Sequence, residues 1–146
     1  MLGKYLTGDT IELNVPVANW REAIEQAGGL LERRNLIQKE YTNSMIRAVE
    51  ELGPYIVIMP GIAFAHARPD DSVLEDGLSM ITLDTPIEFG HGGNDPVEIV
   101  FAIGAKNSGN HVEFIESLAN FLDSTENLEL IKNCKDKEEL LKIINN

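Results

Sequence analysis

The chain has 146 residues, 43% hydrophobic and 25% charged, with a formal net charge of −12. That length fits one ordinary domain able to bury a core without disulfides or structural metal, and the composition excludes long disorder. The negative charge disfavours nucleic acid, whose phosphates it repels, and fits either a basic protein partner or a solvated acidic surface.

The first nine residues lack a sustained apolar core and a small-residue cleavage site, so secretion is not expected. Residues 10–15 alternate apolar and polar in part and read as a first short strand. In residues 19–31, Trp20, Ala23, Ile24, Ala27, Leu30 and Leu31 share one helical face, with Asn19 as N-cap. Gly28-Gly29 weakens that helix and marks a close packing contact; it is not a phosphate loop, because no Lys-Ser/Thr follows a strand-to-helix turn. A second helix is predicted over 38–52, with Tyr41, Met45, Val49 and Leu52 as its core stripe and Gly53-Pro54 as its stop.

Residues 55–59 read as a buried strand, Pro60-Gly61 as a break, and 62–66 as a second short extended piece. The whole apolar run is far shorter than the roughly 20 residues that span a bilayer. Further strands are predicted at 78–83 and 97–103, and 85–96 as a loop or edge excursion rich in Gly, Pro, Asn and Asp. From Asn110 the pattern turns helical, with His111 in the first turn and Val112, Ile115, Leu118, Ala119 and Leu122 as a stripe. Shorter helices near 126–133 and 137–145 follow, and the lone Cys134 between them fits an inert thiol in a reducing cytoplasm. Helices before, between and after the strands imply an α/β three-layer sandwich, a central mixed β-sheet flanked by helices on both faces, in a single domain over 1–146.

The chemistry concentrates in Pro60-Gly61-Ile62-Ala63-Phe64-Ala65-His66-Ala67-Arg68-Pro69, which delivers an imidazole and a guanidinium to the end of an apolar run. Alternate residues of a strand share a face, so His66 and Arg68 are expected to point together. Phe64 and Ala65 desolvate the imidazole and keep a neutral nitrogen available as nucleophile. His111 follows a run of N-cap formers, and a helix N-terminus also favours the neutral ring, suited to donating a hydrogen bond to a phosphoryl oxygen. His91, in a Gly-rich loop, reads as exposed. Three converging histidines would make a hydrolytic zinc site, but none shows the i, i+4 spacing of a metal motif, and no metal or cofactor is expected.

The His66 segment resembles the active-site stretch of the mannitol/fructose-type enzyme IIA domains of the bacterial phosphoenolpyruvate:sugar phosphotransferase system, where a Pro-Gly-x-Ala-x-Pro-His-x-Arg-like pattern carries the phosphorylated histidine. Ala65 stands where that pattern commonly has proline, which puts the stiffness of the backbone approaching the histidine in question. The resemblance extends over nearly the whole chain, through Phe89-Gly90, Asp95-Pro96-Val97 and His111. Ala67-Arg68-Pro69, Gly77-Leu78-Ser79 and Asn94-Asp95-Pro96-Val97 look most like the ascorbate-type branch.

The resemblance implies a cytoplasmic phosphocarrier without cofactor. His66 would accept a phosphoryl group from phospho-HPr and pass it to a cysteine of enzyme IIB, for sugar uptake through the membrane enzyme IIC. It implies His111 as the assisting histidine and Arg68 as a phosphate-binding group, and the acidic balance would steer docking to a basic HPr surface. Many relatives carry an arginine near Arg47, but aligning Tyr41 and Met45 leaves Arg47 one position out of register, about 100° around the helix. It is thus either a second phosphate ligand or a solvated residue. Two alternatives stand: a regulatory module of the same fold switched by phosphorylation of His66, and a three-histidine zinc hydrolase.

Overall fold

The computed structural model describes residues 2–145, and these form four strands and six helices. In chain order they are α1 (Leu2–Tyr5), β1 (Ile11–Val15), α2 (Trp20–Arg33), α3 (Lys39–Leu52), β2 (Ile62–Ala65), β3 (Gly77–Ile87), β4 (Val97–Gly104), α4 (Ser108–Leu122), α5 (Thr125–Asn133) and α6 (Lys137–Asn145). The strands form one mixed sheet in the order β1-β3-β4-β2. The β1–β3 and β2–β4 pairs are parallel, and β3–β4 is antiparallel.

Strand alternation divides the core into two layers. Ala63 and Ala65 of β2, with Val100 and Ala102 of β4, face α2 and α3 in one cluster. Ile62 and Phe64, with Ile99, Phe101 and Ile103, face α1, α4, α5 and α6 in the other. This is the three-layer sandwich expected from the sequence. The alanine side of the sheet lets α2 approach closely, and Ser79 donates to the Ala27 carbonyl at 2.6 Å. Gly28 has the packing reason anticipated: a Cβ there would come within 2.6 Å of Thr42 Oγ1.

Local signals explain most boundaries. Asn19 caps α2 by accepting from Glu22 N at 2.9 Å, and α3 ends at Gly53 with φ 85°, which favours glycine. Asn107 caps α4 by accepting from Asn110 N at 2.8 Å, so the helix starts two residues before the predicted point.

Residues 55–59 do not form the predicted strand. Proline and glycine on both sides fold the segment into tight turns, in which Tyr55 N, Val57 N and Ile58 N donate to Gly53, Pro54 and Ile56. Those amides are spent locally, and ladder contact is reduced to Phe64 N donating to Ile56 O and an isolated bridge from Met59 to Ile62. The segment covers the outer edge of β2 instead of extending the sheet. Strand β3 runs on to Ile87, absorbing the start of the predicted 85–96 loop.

Because β2 and β4 are adjacent and run parallel, their C-terminal ends lie side by side at one end of the sheet, with the N-terminal end of antiparallel β3 on the far side of β4. The residues that follow β2 and β4 therefore meet. In α/β sheets such strand ends are the usual place for ligands and chemistry.

Candidate active site

His66 is the first residue after β2 and His111 lies in the first turn of α4, just after β4. Their rings meet at 4.7 Å between centroids, inclined by 71°. The fold thus brings together two side chains separated by forty-five positions. His66 is half-buried, and its Nδ1 lies 2.6 Å from the Phe64 carbonyl. A carbonyl only accepts, so Nδ1 carries the proton and Nε2 of the neutral ring keeps its lone pair. Burial lowers the His66 pKa below its ordinary value, opposed in part by this hydrogen bond.

His111 Nε2 is buried and has no hydrogen-bond partner. Burial lowers the His111 pKa first, and the neighbouring His66 second. Both causes act in the same direction as the helix N-terminus, in whose first turn His111 lies, its amide donating to Asn107 O at 3.1 Å. An unpartnered buried polar atom is uncommon and calls for a ligand. A neutral imidazole with a free lone pair, beside a second ring with an idle polar nitrogen, can attack an electrophile and bind the oxygens it carries.

The backbone around His66 is held by two tyrosines. Tyr55 donates its hydroxyl to the His66 carbonyl at 3.1 Å, and its ring meets the His66 ring at 5.2 Å and 89°. Burial raises the Tyr55 pKa, which keeps that hydroxyl protonated. The buried Tyr41 hydroxyl accepts from Ala67 N at 3.1 Å and lies 2.9 Å from Ile103 O and 3.1 Å from Ala67 O, tying the end of β2 to the end of β4. Burial pushes its pKa up to about 12. Ala65 itself is fully buried and in register with Ala102, so the ladder and the tyrosines fix a backbone that lacks the proline.

The helix carrying His111 is anchored in turn. Asp76, immediately before β3, accepts from Lys106 N and from the Asn110 side chain, both at 2.8 Å. Sequence reasoning passed over Tyr55, Tyr41 and Asp76. The hydroxyls read there as parts of a strand and a core stripe; only the Gly53-Pro54 break hinted that Tyr55 leaves the sheet.

The position of Arg68 is not set by strand geometry. Strand β2 ends at Ala65, so the face-sharing rule has no strand to act on at residue 68. Arg68 is exposed and lines a cleft of about 360 Å³ with Arg47, Ser44, Tyr55 and Asp70. Arg47 shares that cleft despite its shifted register. His66 is not among the lining residues, and Tyr55 is the wall common to the cleft and the imidazole.

His91 does not join the pair. It is half-buried rather than exposed, and its Nδ1 accepts from Gly93 N at 3.3 Å and Asn94 N at 3.1 Å. Among the described residues no group of three or more His, Cys, Asp or Glu side chains is arranged to hold a metal ion. No described helix is long and apolar enough to cross a membrane. Cys134 is buried, its thiol donating to Asp136 O at 3.0 Å.

The sequence matches the family "Phosphoenolpyruvate-dependent sugar phosphotransferase system, EIIA 2" over residues 4–146. The chain belongs to that family. It is a phosphotransferase component of the EIIA kind, as the His66 motif implied. The ascorbate-specific EIIA component of Escherichia coli strain K12 is 34% identical over 136 residues, covering 92% of this chain and 88% of that protein. Among solved structures, a putative PTS IIA (PtxA) from Streptococcus mutans is 31% identical, covers 93% of this chain and 86% of its own, and superposes with a TM-score of 0.85. The complex of enzyme IIAMTL and phosphorylated enzyme IIBMTL from Escherichia coli contains a chain 27% identical to this EIIA, covering 95% and 96%, with a TM-score of 0.86.

Proposed function

We propose that this EIIA is a cytoplasmic phosphocarrier, one unit over 1–146, in which His66 Nε2 accepts a phosphoryl group from phospho-HPr and passes it to a cysteine of enzyme IIB. The observation that carries the reading is the fixed protonation pattern: Nδ1–H is held by Phe64 O, so Nε2 offers its lone pair beside the idle Nε2 of His111. In the forward step the Nε2 lone pair forms the new N–P bond as the bond from phosphorus to the HPr nitrogen breaks, and the electron pair leaves with HPr. In the second step an enzyme IIB thiolate takes the phosphoryl group and the electron pair of the N–P bond returns to Nε2.

Phosphoryl transfer asks the protein mainly for in-line positioning and for donors to the equatorial oxygens. His111 supplies one such donor from a neutral ring. Arg68 and Arg47 are exposed, long and flexible, and their shared cleft abuts Tyr55, so they serve the phosphoryl group or the approaching partner from that side. The enzyme IIB partner is supported by the solved complex of a relative, and an ascorbate-like sugar by the E. coli relative. The cargo is selected by the membrane component, and no sugar binds this chain.

The test is incubation with phosphoenolpyruvate, enzyme I and HPr. The native protein is expected to take up one acid-labile phosphate and His66→Ala none; label retained on the variant overturns the assignment. Delivery of the label to enzyme IIB separates a carrier from a purely regulatory module.

A further inference from the structure

We propose that Tyr55 is the positioning residue of the His66 imidazole, gripping that residue at its main-chain carbonyl and at its ring so that Nε2 is presented in a single orientation. The inference rests on the phosphocarrier reading and adds a residue that the site motif does not contain.

Two contacts from one side chain converge on one residue. The Tyr55 hydroxyl donates to the His66 carbonyl at 3.1 Å, and the Tyr55 ring stands perpendicular to the imidazole at 5.2 Å. His66 lies just outside β2, where the sheet ladder no longer fixes the chain, so its carbonyl needs another anchor. The hydroxyl restrains the main chain there. The aromatic contact and the Nδ1 bond to Phe64 O restrain the side chain, because rotation of the imidazole must break one or pass the other.

Tyr55 is also placed where core packing does not explain it. It is 38% exposed, within a segment held by tight turns between Gly53-Pro54 and Pro60-Gly61. The buried Tyr41, by contrast, spends its hydroxyl on Ala67 and Ile103 and fastens strand ends together. Phosphoryl transfer is sensitive to the direction of the attacking lone pair, so a restraint on the ring acts on turnover more than on encounter.

The experiment uses the full chain, 15N-labelled, as native protein, Tyr55→Phe and Tyr55→Leu. Long-range proton–nitrogen spectra report the His66 tautomer and its titration, and rapid-quench assays with phospho-HPr report kcat and KM. Tyr55→Phe keeps the ring and loses one hydrogen bond, so kcat is expected to fall about threefold to tenfold at unchanged KM. Tyr55→Leu is expected to lower kcat further, to mix the two His66 tautomers, and to move the His66 titration up as the ring loses cover. A native-like tautomer and titration in Tyr55→Leu, or a change confined to KM, overturns the proposal and leaves Tyr55 as a docking residue. Should the native protein take no phosphate, the phosphocarrier reading falls, while the tautomer and titration still decide whether Tyr55 orients His66.

Discussion

Two regions of this molecule each contain a half-buried histidine bonded through Nδ1 to the local backbone, and they are set for opposite purposes. At the end of β2, Nδ1 of His66 donates to a carbonyl, which leaves Nε2 as a free lone pair. In the 88–96 loop, Nδ1 of His91 accepts from two amides, which places the proton of the neutral ring on Nε2. That ring is a hub for its own loop, whose amides at Phe89, Gly90 and His91 also converge on the Asp95 carboxylate. A histidine's capacity as a nucleophile is thus decided by whether its neighbour is a C=O or an N–H. Residue type alone does not reveal it.

Substitution should separate the two regions cleanly. His66→Ala is expected to abolish phosphate uptake, whereas His91→Ala should be phosphorylated at the native rate, measured side by side with labelled phosphoenolpyruvate. A large loss in His91→Ala would break the contrast. Next in size is His111→Ala, which keeps the nucleophile and loses a donor to the phosphoryl oxygens; single-turnover transfer should slow about 100-fold without being abolished. An unchanged rate would remove His111 from the chemistry.

Tyr41→Phe probes the scaffold rather than the reaction. It leaves the buried Ala67 amide without its acceptor and unties Ala67 from Ile103, which should cost about 1–3 kcal/mol in urea unfolding. A stability equal to native would mean that the strand ends are held by other contacts.

The smallest effect is on pH. Burial lowers the His66 and His111 pKa values from the ordinary 6.5, so both rings stay neutral to lower pH in the folded protein than in the unfolded chain. The unfolded chain takes up protons first as pH falls. Stability is therefore full above 6.5 and declines as pH drops through 6.5 toward the lowered folded values. A denaturation midpoint that rises on acidification from neutral pH would contradict this sign. Phosphate uptake should correspondingly persist below 6.5, since the nucleophile remains unprotonated there.

Much of this architecture is legible in the sequence because burial imposes a period. The stripes of α2 and α3 and the runs of β2 and β4 mark elements whose bounds fall within about two residues of the reading. Residues 55–59 mislead for the same reason: five apolar residues look like a strand, yet proline and glycine on both sides use up the amides in turns. Within the site, His66 and His111 are visible as residue types in a recognisable segment. What holds them is not: the Tyr41 link to Ile103 joins positions 62 apart, the Asp76 link to Asn110 joins positions 34 apart, and neither is a local pattern. For Arg68 the two-residue rule gives no guide, because β2 ends three residues before it.

The most direct measurement is to phosphorylate the 15N-labelled protein with enzyme I and HPr and to locate the phosphate by long-range proton–nitrogen correlation. The account predicts a single phosphohistidine at His66, substituted on Nε2, with Nδ1 still carrying its proton toward Phe64 O. Phosphate on Nδ1 of His66, or on His111 or His91, would contradict it.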